Sequence, residues 1–226
     1  MVKISDRLKT AASLIREGAV LADVGTDHGY VPIYLLEQKK IKSAIAMDIN
    51  KGPLERAREH IHLYGMDEYI QTRLSDGVAA LEKGEAAGEL ILQPQSELCS
   101  VREYLAENGY VTEAERMVFE DGKYYPMMRV HYQAEKNEDA DKAIKDMENS
   151  KEQKKSRYKV ECLYGRYLLM EKNPVLHQYL VKERQVFENI LDNLFKQPES
   201  EKIAVRMEEV KEALGYNEAA LAYYRT

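Results

Sequence analysis

Leu21-Ala22-Asp23-Val24-Gly25-Thr26-Asp27-His28-Gly29-Tyr30 decides the fold of this chain. The apolar run Ala19–Val24 reads as a strand, and Tyr30–Gln38 reads as a helix that follows at once. Between them lies an Asp-x-Gly-x-Asp-x-Gly loop, so the stretch has the form of the opening of a βαβ unit. Gly25 and Gly29 let backbone come close to a ligand. A pyrophosphate site would avoid the acidic residues, because it works through N–H groups at a helix N-terminus. Asp23 and Asp27 instead suit a nucleoside cofactor with a cationic centre and an ammonium group. S-adenosylmethionine (SAM) has both. A nicotinamide dinucleotide fits less well: Gly25-Thr26-Asp27-His28-Gly29 is not Gly-x-Gly-x-x-Gly, and Asp27 would face a diphosphate.

Working outward, Ser5 is placed to cap a first helix whose apolar stripe is Ile4, Leu8, Ala11, Ala12 and Ile15. A second strand, Ser43–Asp48, is an unbroken apolar run, as expected when both faces are covered. The helix Pro53–Tyr64, the strand Ile70–Leu74, a short helix Val78–Lys83 and the strand Leu90–Pro94 follow. A helix spans Glu97–Asn108, and Asp121-Gly122 marks a hairpin between Tyr110–Phe119 and Lys123–Tyr132. Strands alternating with helices, closed by an antiparallel hairpin, give an α/β doubly wound sheet of Rossmann-like type with an antiparallel edge. Glu135–Lys159 is highly charged and reads as a linker or a solvated helix. Beyond Pro174, Leu176, Leu180, Phe187, Ile190, Leu191 and Leu194 form a near-heptad stripe; Ile203, Met207, Val210 and Leu214 form another, with Gly215 as its stop. These predict a coiled-coil-like helical hairpin, whose stripe serves helix-to-helix packing or, as the runner-up, dimerisation. The expected domains are 1–160, holding the sheet, and 161–226, helical.

Composition narrows the class. The chain has 226 residues, 44% hydrophobic and 32% charged, with net charge −6. Mean hydropathy is −0.56. No apolar run approaches the roughly 18 residues that span a bilayer, and the N-terminus lacks a signal-peptide pattern. A cytoplasmic protein with no membrane partner is expected. The two cysteines, Cys99 and Cys162, lie far apart in sequence and read as free thiols. No Cys/His/Asp cluster has metal-ligand spacing and no Ser-His-Asp order stands out, so neither a metal enzyme nor an acyl-transfer enzyme is expected.

Asp48 ends the second strand about 20 residues past the glycine loop, where a carboxylate accepts from ribose hydroxyls. Asp76 follows the third strand, where one can accept from an adenine amino group. With the loop they place acidic groups at the carboxyl ends of three consecutive parallel strands. The plainer reading, acidic surface loops and helix caps, suits any one of them but not the register of all three. The expected cofactor set is Asp23, Gly25, Thr26, Asp27, His28, Gly29, Asp48, Ile49, Asp76 and Gly77. His28 can orient the cofactor or simply satisfy its ring on loop backbone. His60 and His62, two apart on a helix, point to different faces. The densest basic run includes Lys151, Lys154, Lys155, Arg157 and Lys159. With Arg7 it is a candidate phosphate grip for RNA, against the blander reading of a solvated linker face.

These residues resemble the bacterial family of tRNA (adenine-N1)-methyltransferases that modify adenine 22. The matching stretches include Ser5-Asp6-Arg7-Leu8, Asp23 to Pro32, Ser43-Ala44-Ile45-Ala46, Gly52-Pro53, Leu90-Ile91-Leu92-Gln93-Pro94 and Glu120 to Tyr125. The resemblance implies a class I SAM-dependent fold, a coiled-coil-like C-terminal domain and tRNA as substrate; a monomer is expected, with a dimer through the C-terminal helices as the alternative. It also exposes a departure. Family members carry a fourth strand ending in an Ala-Gly-Met-Gly-Gly-like loop before the Leu-Gln-Pro strand, and that loop is where the target base should be held. Here Asp76 is followed by Leu90 after thirteen residues, Gly77 to Glu89. A strand and a helix do not fit there, so a segment is absent near Ala86–Gly88. No catalytic base can be named, and a true deletion predicts a damaged or inactive enzyme. Two other classes compete: a non-catalytic RNA-binding protein that keeps the fold, and a small-molecule methyltransferase with a closed pocket and no use for the basic run.

Overall fold

The computed structural model describes residues 2–26, 28–82, 84–85, 88–133, 151–198 and 200–225, with the side chains of 151–155 outside that description. The chain divides into two compact units, Met1–Ile91 and Leu92–Thr226.

In the first unit, Ser5 caps helix α1 (Asp6–Leu14) by accepting from the Leu8 N–H at 3.3 Å, with Asp6 placed favourably in the first turn. Strand β1 (Ala19–Val24), helix α2 (Tyr30–Glu37), strand β2 (Ile41–Asp48), helix α3 (Lys51–Leu63) and strand β3 (Ile70–Leu74) follow in alternation. The strands form a parallel sheet in the order β1-β2-β3. Strand β2 is central, which is why its run from Ala44 to Met47 is buried. The core gathers Val2, Ile4, Ala12, Ile33, Leu35, Ala46, Ala57, Ile61 and Ile70.

The second unit follows strand β4 (Glu89–Leu92), which straddles the border. Helix α4 (Leu98–Glu107) precedes strands β5 (Tyr110–Glu120) and β6 (Lys123–Tyr132). Asp121 and Gly122, at φ 48° and 79°, make the tight turn between them with the two positive values that a type I′ hairpin requires. A bulge between Thr112 and Ala114 shifts the register; beyond it Glu115 and Met117 are the buried positions. Helices α5 (Lys151–Tyr164), α6 (Arg166–Met170), α7 (Pro174–Phe195) and α8 (Glu201–Ala222) complete the chain. Asn173 caps α7 by accepting from Val175 and Leu176 N–H, with Pro174 at the first helical turn.

Four expectations need correction. The single sheet is two: the parallel one and a second three-stranded sheet in the order β4-β6-β5. Among the described residues nothing pairs with β1 except β2. The short helix expected at Val78–Lys83 is a run of turns over Gly77–Ala80, tied by the Ser75 hydroxyl, which accepts from Ala80 N–H at 3.0 Å; Lys83 lies outside the described residues. Gly215 does not end α8, which runs on to Ala222. Burial of Asn217, Ala220 and Leu221 outweighs the roughly 1 kcal/mol that a mid-helix glycine costs. Finally, the compact units meet at 91/92 rather than at 160/161, since the β5–β6 hairpin packs with the C-terminal helices: Met117 joins Val160, Tyr164, Leu168 and Leu180 in one core.

The heptad stripes bury only Leu176 and Leu180 of α7 and Val210 of α8; Phe187, Ile190, Leu191, Leu194, Ile203 and Met207 stay half-exposed. Of the charged stretch Glu135–Lys159, 151–159 are helical and 135–150 lie outside the described residues.

Candidate cofactor site

Three loops leave the carboxyl ends of the parallel strands side by side, as the pairing of Val24 with Met47 and of Asp48 with Leu74 requires. The first loop is fixed by Thr26. Its N–H donates to the Met47 carbonyl at 2.8 Å, and its buried hydroxyl donates to Asp23 at 2.6 Å. Burial pushes the Asp23 carboxyl above its ordinary value of 3.8, and the Thr26 hydroxyl offsets part of that rise. The site therefore holds a carboxylate that a positive charge would stabilise.

Gly25, His28 and Gly29 all take positive φ, at 73°, 63° and 68°. At Gly29 a Cβ would sit 3.4 Å from the Ala57 Cβ, so glycine there also lets the loop lie close on α3. The His28 ring stacks with Tyr30 and His60 at centroid distances of 5.3 and 5.4 Å, and Tyr30 with His60 at 4.9 Å. His60 Nδ1 lies 3.1 Å from the His28 carbonyl. His62 turns away, 3.3 Å from Asp67, as its spacing predicts.

In the second loop Asp48 accepts from its own Asn50 N–H at 2.7 Å, which folds the chain beneath Ile49. In the third, Ser75 N–H donates to the Asp48 carbonyl at 2.9 Å and the Ser75 hydroxyl to the Gly77 carbonyl at 2.9 Å, leaving Asp76 and Gly77 exposed. The structure thus brings Asp23, Gly25, Thr26, His28, Gly29, Asp48, Ile49, Asp76 and Gly77 to one rim; Asp27 lies outside the described residues.

Sequence reasoning missed three contributors. Ser75 ties the third loop to the second. Tyr30 and His60 buttress His28. Val24, Leu74 and Val78, 48–59% exposed, join the expected Ile49 in giving the rim an apolar character. Exposed apolar side chains collected at strand ends, beside carboxylates, are what a flat heterocycle and a charged tail need. Apolar residues at the final positions of β1 and β3 were the available signal.

The connection after β3 is clasped by Arg73, whose guanidinium donates to both Glu85 carboxylate oxygens at 2.5 and 2.6 Å and to the Ala80 carbonyl at 2.9 Å. That fork draws the Glu85 carboxyl down to about 2.

The expected RNA residues are less uniform. Residues 151–155 lie on the backbone of α5. Arg157 pairs with Glu161 at 2.9 Å along the same helix, and Lys159 donates to Cys99 Sγ at 3.3 Å. Arg157 and Lys159 therefore already have partners inside the protein.

Comparison with known proteins follows this division. Residues 4–88 match a methyltransferase domain model, and residues 85–219 match the model for tRNA (adenine(22)-N(1))-methyltransferase. The tRNA (adenine(22)-N(1))-methyltransferase of Bacillus subtilis (strain 168) is 29% identical over 248 residues, covering 95% of this chain and 98% of its own. That aligned stretch exceeds the 226 residues here, so the relative has residues that this chain lacks. The crystal structure of the B. subtilis m1A22 tRNA methyltransferase aligns with TM-score 0.77 and 27% identity, over 98% of this chain and 100% of that one. A Streptococcus pneumoniae protein solved in complex with S-adenosyl-L-methionine aligns with TM-score 0.69 and 27% identity, over 94% of this chain and all of its own. Since the second model takes in more than half of the residues, the chain belongs to the tRNA (adenine(22)-N(1))-methyltransferase family.

Proposed function

We propose that this protein transfers the methyl group of SAM to N1 of adenine 22 in tRNA. The observation that supports it best is the half-buried, desolvated Asp23 carboxylate beside an apolar rim, at strand ends held in register with Asp48. SAM fits these residues. Asp23 offers the anion for its cationic part, Asp48 and Asp76 offer acceptors for ribose and adenine donors, and Val24, Ile49, Leu74 and Val78 offer apolar surface for the ring. Gly25 has nothing within 4 Å of a hypothetical Cβ, which leaves room for a ligand against backbone. Bound there, the cofactor supplies an electrophilic methyl group. Adenine N1 has its own lone pair, so the protein's task is chiefly to position two reactants and to accept a turned-out base. The cytoplasmic location and the phosphate grip by Arg7, Lys151, Lys154, Lys155, Arg157 and Lys159 belong to the same reading. Among the described residues no helix is long and apolar enough to cross a membrane.

A second reading, an RNA-binding protein that keeps the fold without transfer, draws on one observation. Among the described residues the parallel sheet stops at β1, where the resemblance implies the family's base-holding strand, and the two family models meet at 85–88. Ala86 and Ala87 of that junction lie outside the described residues. Calorimetry with SAM, then labelled methyl transfer to unmodified tRNA with the product mapped to adenine 22, separates the two. Heat and transfer are expected. Absence of heat removes the cofactor site; heat without transfer selects the second reading.

A further inference from the structure

Cys99 and Cys162, sixty-three positions apart, are brought together where α4 packs on α5. Their sulfur atoms and a Glu103 carboxylate oxygen all lie within 4.8 Å of one another. Around them, Lys159 Nζ donates to Cys99 Sγ at 3.3 Å and stands 3.6 Å from Glu103, Cys162 Sγ donates to the Cys99 carbonyl at 3.3 Å, and Arg102 donates to the Cys162 carbonyl at 2.7 Å. We infer that Cys99 and Cys162 form a peroxide-sensitive dithiol that closes to an intramolecular disulfide.

The two sulfurs are not equivalent. Cys99 is half-exposed, so a peroxide can reach it, and its sulfur accepts a hydrogen bond from the Lys159 ammonium. Cys162 is buried, and its thiol is pushed up to about 12, first by burial, then by its hydrogen bond to Cys99 and by the charges of Cys99 and Glu103, with Arg102 opposing. Cys99 is therefore the attacking sulfur and Cys162 the resolving one. In the first step the Cys99 thiolate attacks a peroxide oxygen; the O–O bond breaks, Cys99 becomes the sulfenic acid and hydroxide leaves. In the second, Cys162 sulfur attacks Cys99 sulfur, the S–O bond breaks, and the hydroxide leaves as water with the Cys162 proton. The two thiols are oxidised by two electrons and the peroxide is reduced to two waters.

A divalent cation is the competing occupant of the same three ligands. The Lys159 ammonium opposes it, since it already sits on the Cys99 sulfur, and Cys162 still spends its proton on a backbone carbonyl. The disulfide would join α4 to α5 across a long loop, beside Arg102, and so constrain the unfolded chain.

The test uses the full reduced chain and hydrogen peroxide. The expected product is a monomer lighter by two hydrogens, with a Cys99–Cys162 cross-linked peptide, a higher thermal midpoint, and full reversal by dithiothreitol. In Cys162→Ser, dimedone is expected to label Cys99; in Cys99→Ser, Cys162 stays unlabelled. Lys159→Met should still cross-link, but more slowly, because it removes the ammonium that contacts the Cys99 sulfur. Intermolecular dimers alone, no cross-linked peptide in the wild-type chain, or a stoichiometric cobalt(II)–thiolate complex that protects the reduced pair from peroxide would each overturn the proposal. The wild-type peptide map decides the matter even where a cysteine variant does not fold.

Discussion

The two units hold carboxylates in opposite ways. In the C-terminal unit, Glu115 is buried with every oxygen committed: Oε1 accepts from Arg102 Nε at 3.0 Å and Nη2 at 2.8 Å, and Oε2 accepts from Tyr167 N–H at 2.9 Å. Arg102 in turn donates to the Cys162 and Leu163 carbonyls at 2.7 and 3.2 Å, so the pair also satisfies the end of α5. In the N-terminal unit, Asp23 has among the described residues one donor, the Thr26 hydroxyl, and no cation. A desolvated carboxylate answered by a guanidinium and a backbone amide belongs to the architecture. One left with a single hydroxyl at the end of a strand is poised for a ligand. The comparison makes a separable forecast: changes at Glu115 should move stability and leave cofactor affinity alone, while changes at Asp23 should do the reverse.

The largest effect is expected at Gly165. Its φ is +94°, and a Cβ there would lie 2.6 and 2.7 Å from the two Glu115 oxygens and 2.9 Å from Arg102 Nη2. Gly165→Ala must both strain the backbone and push the buried pair apart. Breaking such a pair costs about 3–5 kcal/mol. At about 2–4 °C per kcal/mol for a chain of this size, the thermal midpoint should fall by roughly 10 °C. SAM affinity measured well below that midpoint should stay within about twofold of the wild type, a change under 0.5 kcal/mol. A variant that melts normally but binds SAM poorly would break the comparison.

Next in size is Asp23→Asn. Hydrogen bonds to charged groups contribute about 1.5–3 kcal/mol, so SAM should bind at least tenfold more weakly. Stability should hold or rise. The folded-state pKa of Asp23 is raised, so its contribution is fully favourable only below the unfolded value near 3.8 and is lost as pH rises through the folded value. At neutral pH the wild type therefore keeps a penalty that asparagine removes. A bound cation pulls the same pKa down. Wild-type affinity should then fall as pH drops through the raised Asp23 pKa, with proton release on binding in that window, and Asp23→Asn should lose that dependence. Titration calorimetry across pH, in buffers of different ionisation enthalpy, checks both.

The same contrast explains which parts of the molecule were legible in the sequence. The rim could be read because its determinants are local: the Asp23-to-Gly29 loop, Asp48 and Asp76 each close a strand whose apolar run announces it. The ends of β1 and β3 fall where periodicity placed them. Glu115, Arg102 and Gly165 could not be read, because their meaning depends on a bulge that turns Glu115 inward and on a helix junction fifty residues away. The cysteines were hidden for the same reason, since sixty-three positions separate residues that share one helix–helix contact. The split of the sheet was half visible: thirteen residues between Asp76 and Leu90 cannot hold a strand and a helix, yet the spacing alone did not show that β4 would join β6.

The smallest effect tests whether saturation, rather than burial alone, marks a structural carboxylate. Glu183 accepts from Tyr164 and Tyr179 hydroxyls, both at 2.7 Å, and from Asn217 Nδ2 at 2.9 Å, and Asn217 also donates to the Leu180 carbonyl at 3.0 Å. Here α7 and α8 meet α5 around a polar knot within an otherwise apolar core. Burial first, and then the Glu183 charge, push both phenols well above their ordinary value of 10. Glu183→Gln keeps an acceptor and the side chain's shape while removing the charge. It should cost about 1 kcal/mol, the worth of an ordinary hydrogen bond, rather than the several expected when Glu115 and Arg102 are pushed apart. The phenols report the change directly. Without the neighbouring charge, their alkaline absorbance transition should move to lower pH, while burial keeps it above that of an exposed tyrosine. An unmoved transition would mean that burial alone sets those groups. A stability loss as large as that of Gly165→Ala would mean that charge, not the count of satisfied oxygens, is what this unit depends on.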